Sequence, residues 1–283
     1  MEKIKFGPAG ADASYTSKKG KTKDLPNYLK NMGLDALEIS FGRGIILGDA
    51  LCSVIKEETE KNNIEISIHA PYYINFANPN EEMVQKSFGY VINSLKKLRL
   101  MGGKRLVFHT GSNGKLSREE AYQVAYKNLE RLKDMIYEEG LEDMYICPET
   151  MGKYTQIGNT TEVVNFCKID KIFKPTLDFG HLNCIKQGAL KTKEDFINEL
   201  KIVIDGLGYE RAKNLHIHFS KIEYSSKGEV KHVDYGDEGY GPNIEPLFEA
   251  LNELKLYPVI ICESKNNRIE DSLTYKKIYE KMI

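Results

Sequence analysis

The sequence carries almost no net charge: across 283 residues, 40 Lys and Arg stand against 41 Asp and Glu, leaving −1. Bulk electrostatic attraction to nucleic acid is thereby excluded, and any such binding needs a local basic patch. Cysteine pairs of the Cys-x-x-Cys kind are missing too. The five cysteines (Cys52, Cys147, Cys167, Cys184, Cys262) are an odd number without a metal-clasp spacing, and read as small buried hydrophobes in a reducing compartment. No run approaches the roughly 20 apolar residues that cross a bilayer, so no membrane partner is expected. The opening Met-Glu-Lys-Ile-Lys-Phe lacks the apolar stretch and small-residue cleavage site of a secretory signal, and a cytoplasmic location is expected. Linkers, low-complexity segments and short internal repeats are absent as well, which makes residues 1–283 one domain and the protein a monomer in the simplest reading.

What the chain does contain is one unit repeated. Short β-branched apolar runs recur at Ile4–Phe6, Ala36–Phe41, Ile64–Ala70, Arg105–His109, Met144–Cys147, Pro175–Phe179, Asn214–Phe219 and Pro258–Cys262. Each has the composition of a buried parallel strand. Amphipathic stretches lie between them. Glu81–Met101 spaces Met83, Val84, Phe88, Val91, Ile92, Leu95 and Leu98 at threes and fours, and Arg118–Tyr137 repeats the pattern. Ser117 with Glu120, and Asn159 with Glu162, have the form of helix-starting capping boxes. Parallel strands need crossover helices, so eight strand–helix units in series predict an α/β fold of the (β/α)8 TIM-barrel type. An open doubly wound sheet is the alternative.

Histidines and carboxylates fall at the ends of these strands. His69 closes the third, His109 the fourth, Glu149 follows the fifth, Asp178 closes the sixth with His181 three residues on, His218 lies near the end of the seventh, and Glu263 closes the eighth. A barrel brings all its strand ends to one face. Seven metal-ligating side chains at six successive strand ends are hard to explain as separate core residues, since each left unpaired costs about 1–3 kcal/mol. Mixed imidazole and carboxylate donors suit Zn2+, with Mn2+ or Fe2+ as relatives. His216 points to the same side as His218 but one layer deeper, where a hydrogen-bonded role behind a ligand is favoured over ligation. His232 lies in the loop expected after strand seven, which opens onto the same face.

At these residues the chain resembles the endonuclease IV family of zinc-dependent abasic-site nucleases, over nearly its whole length. His69, Tyr72 and Asn75 in a His-x-x-Tyr-x-x-Asn segment, and Asp178 with His181 in Asp-x-x-His, carry the likeness. The resemblance implies two or three zinc ions: one on His69, His109 and Glu149, a second on Glu149, Asp178, His218 and Glu263, and a third on His181 and His232. An Asp of the family pattern, two residues before His232, is Val230 here; Glu229 or Asp234 would have to supply that oxygen. The implied reaction is hydrolysis of the phosphodiester 5′ to an abasic nucleotide in double-stranded DNA, a DNA-repair incision in which Glu149 positions the nucleophile. The implied substrate contacts are Lys18, Lys19 and Lys21 in the first loop, Arg43 in the second, and Tyr72 and Asn75. The competing reading is a sugar isomerase or epimerase of the xylose-isomerase-like barrels, using one metal on Glu149, Asp178, His218 and Glu263 alone.

Overall fold

Alternation along each strand decides what faces the barrel axis and what faces the helices. In β2 (Ala36–Ser40), Leu37 and Ile39 pack outward among the apolar helix faces, which turns Ala36, Glu38 and Ser40 inward. The same period in β7 (His216–Phe219) sends Ile217 and Phe219 outward and His216 and His218 inward. The computed structural model describes residues 3–42 and 44–283. Its remaining barrel strands are β1 (Lys5–Pro8), β3 (Glu65–His69), β4 (Arg105–Phe108), β5 (Tyr145–Pro148), β6 (Thr176–Asp178) and β10 (Val259–Cys262).

These eight strands form two four-stranded parallel sheets, β1-β10-β7-β6 and β2-β3-β4-β5. Bridges from Ala9 to Glu38 and from Glu149 to Thr176 join the sheets along both seams and close a TIM barrel. The register across the barrel places Asp178 and Ile261 on either side of His218, and Ser40 beside His69. Gly7 has no substitute here, because a β-carbon on it would lie 1.9 Å from the Ala36 carbonyl oxygen at the seam between β1 and β2.

Each expected strand is present, with ends shifted by up to two residues; the first runs Lys5–Pro8 rather than Ile4–Phe6. Helices Glu81–Leu100 and Arg118–Glu138 largely bury the stripes their spacing predicts, although Met83 is exposed, and Ser117 and Asn159 both make reciprocal capping boxes. All five cysteines are buried free thiols, and burial pushes Cys147 up to about 12. Among the described residues no helix is long and apolar enough to cross a membrane.

One segment differs from its sequence reading. The expected loop after β7 is an antiparallel hairpin, β8 (Lys221–Ser225) and β9 (Gly228–Val233), with an irregularity between Glu223 and Tyr224. Gly228 turns it with a left-handed φ of 99°. The alternation of Ile222 and Tyr224 before a turn containing glycine was the available signal. Its consequence is that His232 sits on a strand held in place, not on a free loop.

Candidate metal centre

Glu149 is the hub. It is fully buried just past β5, where its backbone nitrogen donates to the Phe108 carbonyl. His69 Nε2 and His109 Nε2 both lie 3.1 Å from Glu149 Oε2, while His218 Nδ1 lies 3.0 Å from Oε1. Among the described residues four groups of donor atoms lie close enough to share an ion: His69, His109 and Glu149; Glu149, Asp178, His218 and Glu263; His181, Glu229 and His232; and, beneath these, the fully buried Glu38, His216 and His218.

The strand ends aim these side chains and the backbone fixes which ring nitrogen is free. His69 Nδ1 donates to the Ala70 carbonyl at 2.9 Å, and His181 Nδ1 to the Thr150 carbonyl at 2.9 Å. A carbonyl accepts only, so each neutral ring keeps its Nε2 lone pair for the cavity. His232 Nδ1 meets Ser220 Oγ at 2.7 Å and likewise turns Nε2 inward. Asp178 Oδ1 accepts from the His181 backbone nitrogen at 2.7 Å, capping helix Phe179–Ile185, and leaves Oδ2 buried without a hydrogen-bond partner. An unpartnered carboxylate oxygen beside an imidazole is costly unless a cation or proton completes it. Nitrogen and carboxylate donors in groups of three and four therefore fit ions of the zinc class.

The hairpin builds the third group. Glu229 N donates to the Gly152 carbonyl at 2.8 Å, and the Glu229 carboxylate then reaches 3.7 Å from His181 Nε2 and 3.8 Å from His232 Nε2. A β-carbon on Gly152 would come within 2.9 Å of both His181 and Glu229 side-chain atoms, so the glycine is what lets the loop approach. Asp234, the other residue considered for this position, is spent elsewhere. Its two oxygens accept from the backbone and side-chain nitrogens of Asn266 and Asn267.

Charge in the metal-free site is arranged as imidazolium against carboxylate. Burial would raise Glu149, but the His218 charge and hydrogen bonds from His109, His218 and His69 hold it well below the usual carboxylate range. Burial opposes protonation of His69, yet Glu149 lifts it to about 9; His181 also reaches about 9 against its burial, through Asp178 and Glu149. Burial pushes Asp178 up to about 7. A group raised on folding stabilises fully below its unfolded pKa and loses that contribution as pH rises through the folded value. The chelator-stripped protein should therefore lose thermal stability between about pH 6.5 and 9, the window of His69 and His181. Calorimetry across that range checks this, and a melting temperature that climbs instead would contradict the pairing.

Around this centre opens a cavity of about 530 Å3, walled by the segment after β1, by Tyr72 and by Arg268 as well as by the histidines. Tyr72 is half exposed at its rim. Lys18, Lys19 and Lys21 are exposed on the same segment as the lining residues Tyr15, Thr16, Gly20 and Thr22. Asn75 does not line the cavity: its side-chain oxygen accepts from the backbone nitrogens of Ala77 and Ser112, which ties two loops together. Arg43 lies outside the described residues.

Sequence reasoning missed Glu38. It is fully buried on β2, with its carboxylate 2.9 Å from His216 Nε2 and 3.0 Å from His218 Nε2. A carboxylate in the middle of an otherwise apolar strand was the signal, because such a group is seldom buried without a partner.

A closed parallel barrel with convergent acid–imidazole groups at its strand ends is the architecture of a TIM-barrel enzyme. The chain belongs to the xylose isomerase-like TIM-barrel family, which residues 26–281 match. It is 33% identical over 259 residues to an uncharacterized protein of Methanocaldococcus jannaschii, spanning 92% of this chain and 91% of that one. A probable endonuclease 4 of Mycoplasma mobile is 35% identical over 194 residues, 67% of this chain and 63% of the relative. Endonuclease IV of Thermus thermophilus superposes with a TM-score of 0.63 at 18% identity, over 92% of this chain and 93% of that one. A D-tagatose 3-epimerase-like protein gives 0.65 at 20% identity, over 88% of each. At such identities the structural likeness speaks for the fold, which nuclease and epimerase share.

Proposed function

We propose that this protein is a zinc-dependent phosphodiesterase that incises double-stranded DNA 5′ to abasic sites. The observation that carries the reading is the third donor group, His181, Glu229 and His232, standing beside two others that share Glu149. One ion takes about four ligands, and three groups exceed what a one-metal enzyme uses. The likeness to probable endonuclease 4 sequences supports the same substrate.

Under this reading His69, His109 and Glu149 hold one ion, Glu149, Asp178, His218 and Glu263 a second, and His181, Glu229 and His232 a third; Mn2+ or Fe2+ could replace zinc. Such ions bring water's pKa near neutrality and neutralise charge on phosphoryl oxygens. The protein's share is placement. Glu149 is buried and held anionic by three rings, so it can orient a nucleophile between the first two groups. Tyr72 stands at the rim, where its ring can pack against an unstacked nucleotide.

Lys18, Lys19 and Lys21, exposed on the segment that walls the cavity, would meet the phosphate backbone on this reading. Replacing all three with Gln should flatten the salt dependence of duplex binding by about one unit of log–log slope for each phosphate no longer neutralised. Fluorescence anisotropy at several salt concentrations reads this, and an unchanged slope returns the lysines to solvent.

The quartet Glu149, Asp178, His218 and Glu263, under a cavity of about 530 Å3, also favours a second reading, one-metal epimerisation of a sugar. The deciding assay gives the zinc-loaded protein an abasic duplex and, separately, a ketohexose. Incision leaving a 3′-hydroxyl supports the nuclease. Epimerisation without incision removes it.

A further inference from the structure

The rings around the cavity are not all held from behind in the same way. His69 and His181 lean on backbone carbonyls and His232 on a hydroxyl. His218 leans on an acid. Its Nε2 lies 3.0 Å from Glu38 Oε1, and it is Nδ1 that faces Glu149 and Glu263, at 3.0 and 3.5 Å. Glu38 Oε1 and His218 Nε2 are both buried and neither makes a hydrogen bond among the described residues, so their 3.0 Å approach is a close charge contact. The other oxygen of Glu38 is already fixed, since Ser67 Oγ donates to Oε2 at 2.8 Å and His216 Nε2 approaches it at 2.9 Å.

We propose that Glu38 is a positioning residue for the central donor group: its charge, 3.0 Å from His218 Nε2, favours the proton on that nitrogen and so keeps the His218 Nδ1 lone pair turned to the carboxylates of Glu149, Asp178 and Glu263. The proposal rests on the reading of that group as a metal site. A carboxylate accepts and cannot donate, so it admits only the tautomer with the proton on Nε2. Ser67 and His216 clamp the far oxygen and leave Oε1 for His218. This gives His216 a definite place too: it holds Glu38, one layer beneath the donor atoms. Acids behind metal-bound imidazoles orient the ring and raise its basicity, and their loss weakens metal binding by about 10–100-fold.

The test uses the full chain with zinc or cobalt, and three readouts. In wild type, two-bond proton–nitrogen spectra of 15N-histidine-labelled, zinc-loaded protein should show His218 with its proton on Nε2. Glu38→Gln should fold with a similar melting temperature, lose about 10–100-fold in affinity for one ion by chelator competition, and change the visible spectrum of that ion's cobalt form. Ser67→Ala, which removes the hydroxyl that donates to Glu38, should move affinity the same way by a smaller factor.

Wild-type affinity and an unchanged cobalt spectrum in Glu38→Gln would overturn the proposal while leaving the metal site standing. Should Glu38→Gln fail to fold, His216→Gln and Ser67→Ala decide by the same readouts, and wild-type behaviour in both overturns it. An ion located between Glu38, His216 and His218 would also overturn it, because His218 Nε2 would then be a ligand. Failure of the wild type to bind any ion is a separate result, and refutes the metal-site reading itself.

Discussion

Glu149→Gln should yield a folded protein that holds at least one ion fewer and incises an abasic duplex about 10³-fold more slowly, the upper range for losing one preorganised group. The expectation follows from how many partners converge on this side chain. Rings of His69, His109 and His218 lie within 3.1 Å of it, and His181 Nδ1 lies 3.5 Å away. An amide keeps the shape but offers one acceptor oxygen, and its NH2 group must point at a ring nitrogen. Both groups that share Glu149 lose their common charge, while the third keeps all its members. Metal content by mass spectrometry and single-turnover incision read the two effects separately. Full metal content with normal incision would remove Glu149 from the centre of the chemistry.

His109→Ala and His181→Ala divide the nuclease from the epimerase. Neither ring belongs to the quartet Glu149, Asp178, His218 and Glu263 that a one-metal enzyme would use. In the polynuclear reading each variant loses an ion, and incision falls by about 10²–10³-fold. In the one-metal reading metal content is unchanged and epimerisation largely survives. His109 is partly exposed on the cavity wall, whereas His181 is buried and its ring holds the Thr150 carbonyl, so the melting temperature of His181→Ala is measured beside its activity. The same protein samples serve for metal counting and for both assays, and near-normal incision by both variants would sink the three-group assignment.

The barrel was legible because its strands are short, apolar and regularly spaced, and because Ser117 and Asn159 mark helix starts by chemistry that is local in sequence. The positions of His69, His109, Asp178, His218 and Glu263 were legible for the same reason, since a strand end is a place in the sequence before it is a place in space. Glu229 was one of two candidates, and the hairpin's pairing with Gly152, together with the hold of Asn266 and Asn267 on Asp234, distinguishes it from Asp234. Glu38 was hidden by its neighbours. Ala36, Leu37 and Ile39 mark a strand, and the carboxylate among them signals a buried partner without telling that the partners are two imidazoles from β7, 178 residues on in the case of His216. Asn75 looked like a substrate group because its motif does, but its oxygen is used up by two backbone nitrogens.

The two seams of the barrel have a mechanical consequence. His69 and His109 belong to one four-stranded sheet, Asp178, His218 and Glu263 to the other, and Glu149 and Glu38 are themselves seam residues. On the proposed reading, ions held by these side chains would act as rivets across the joints between the two sheets. Stripping them should let the half-barrels gape, so that the amide protons bonded across the seams, those of Asp35, Ile146, Thr150 and Lys174, exchange faster while those in the middle of each sheet keep their protection.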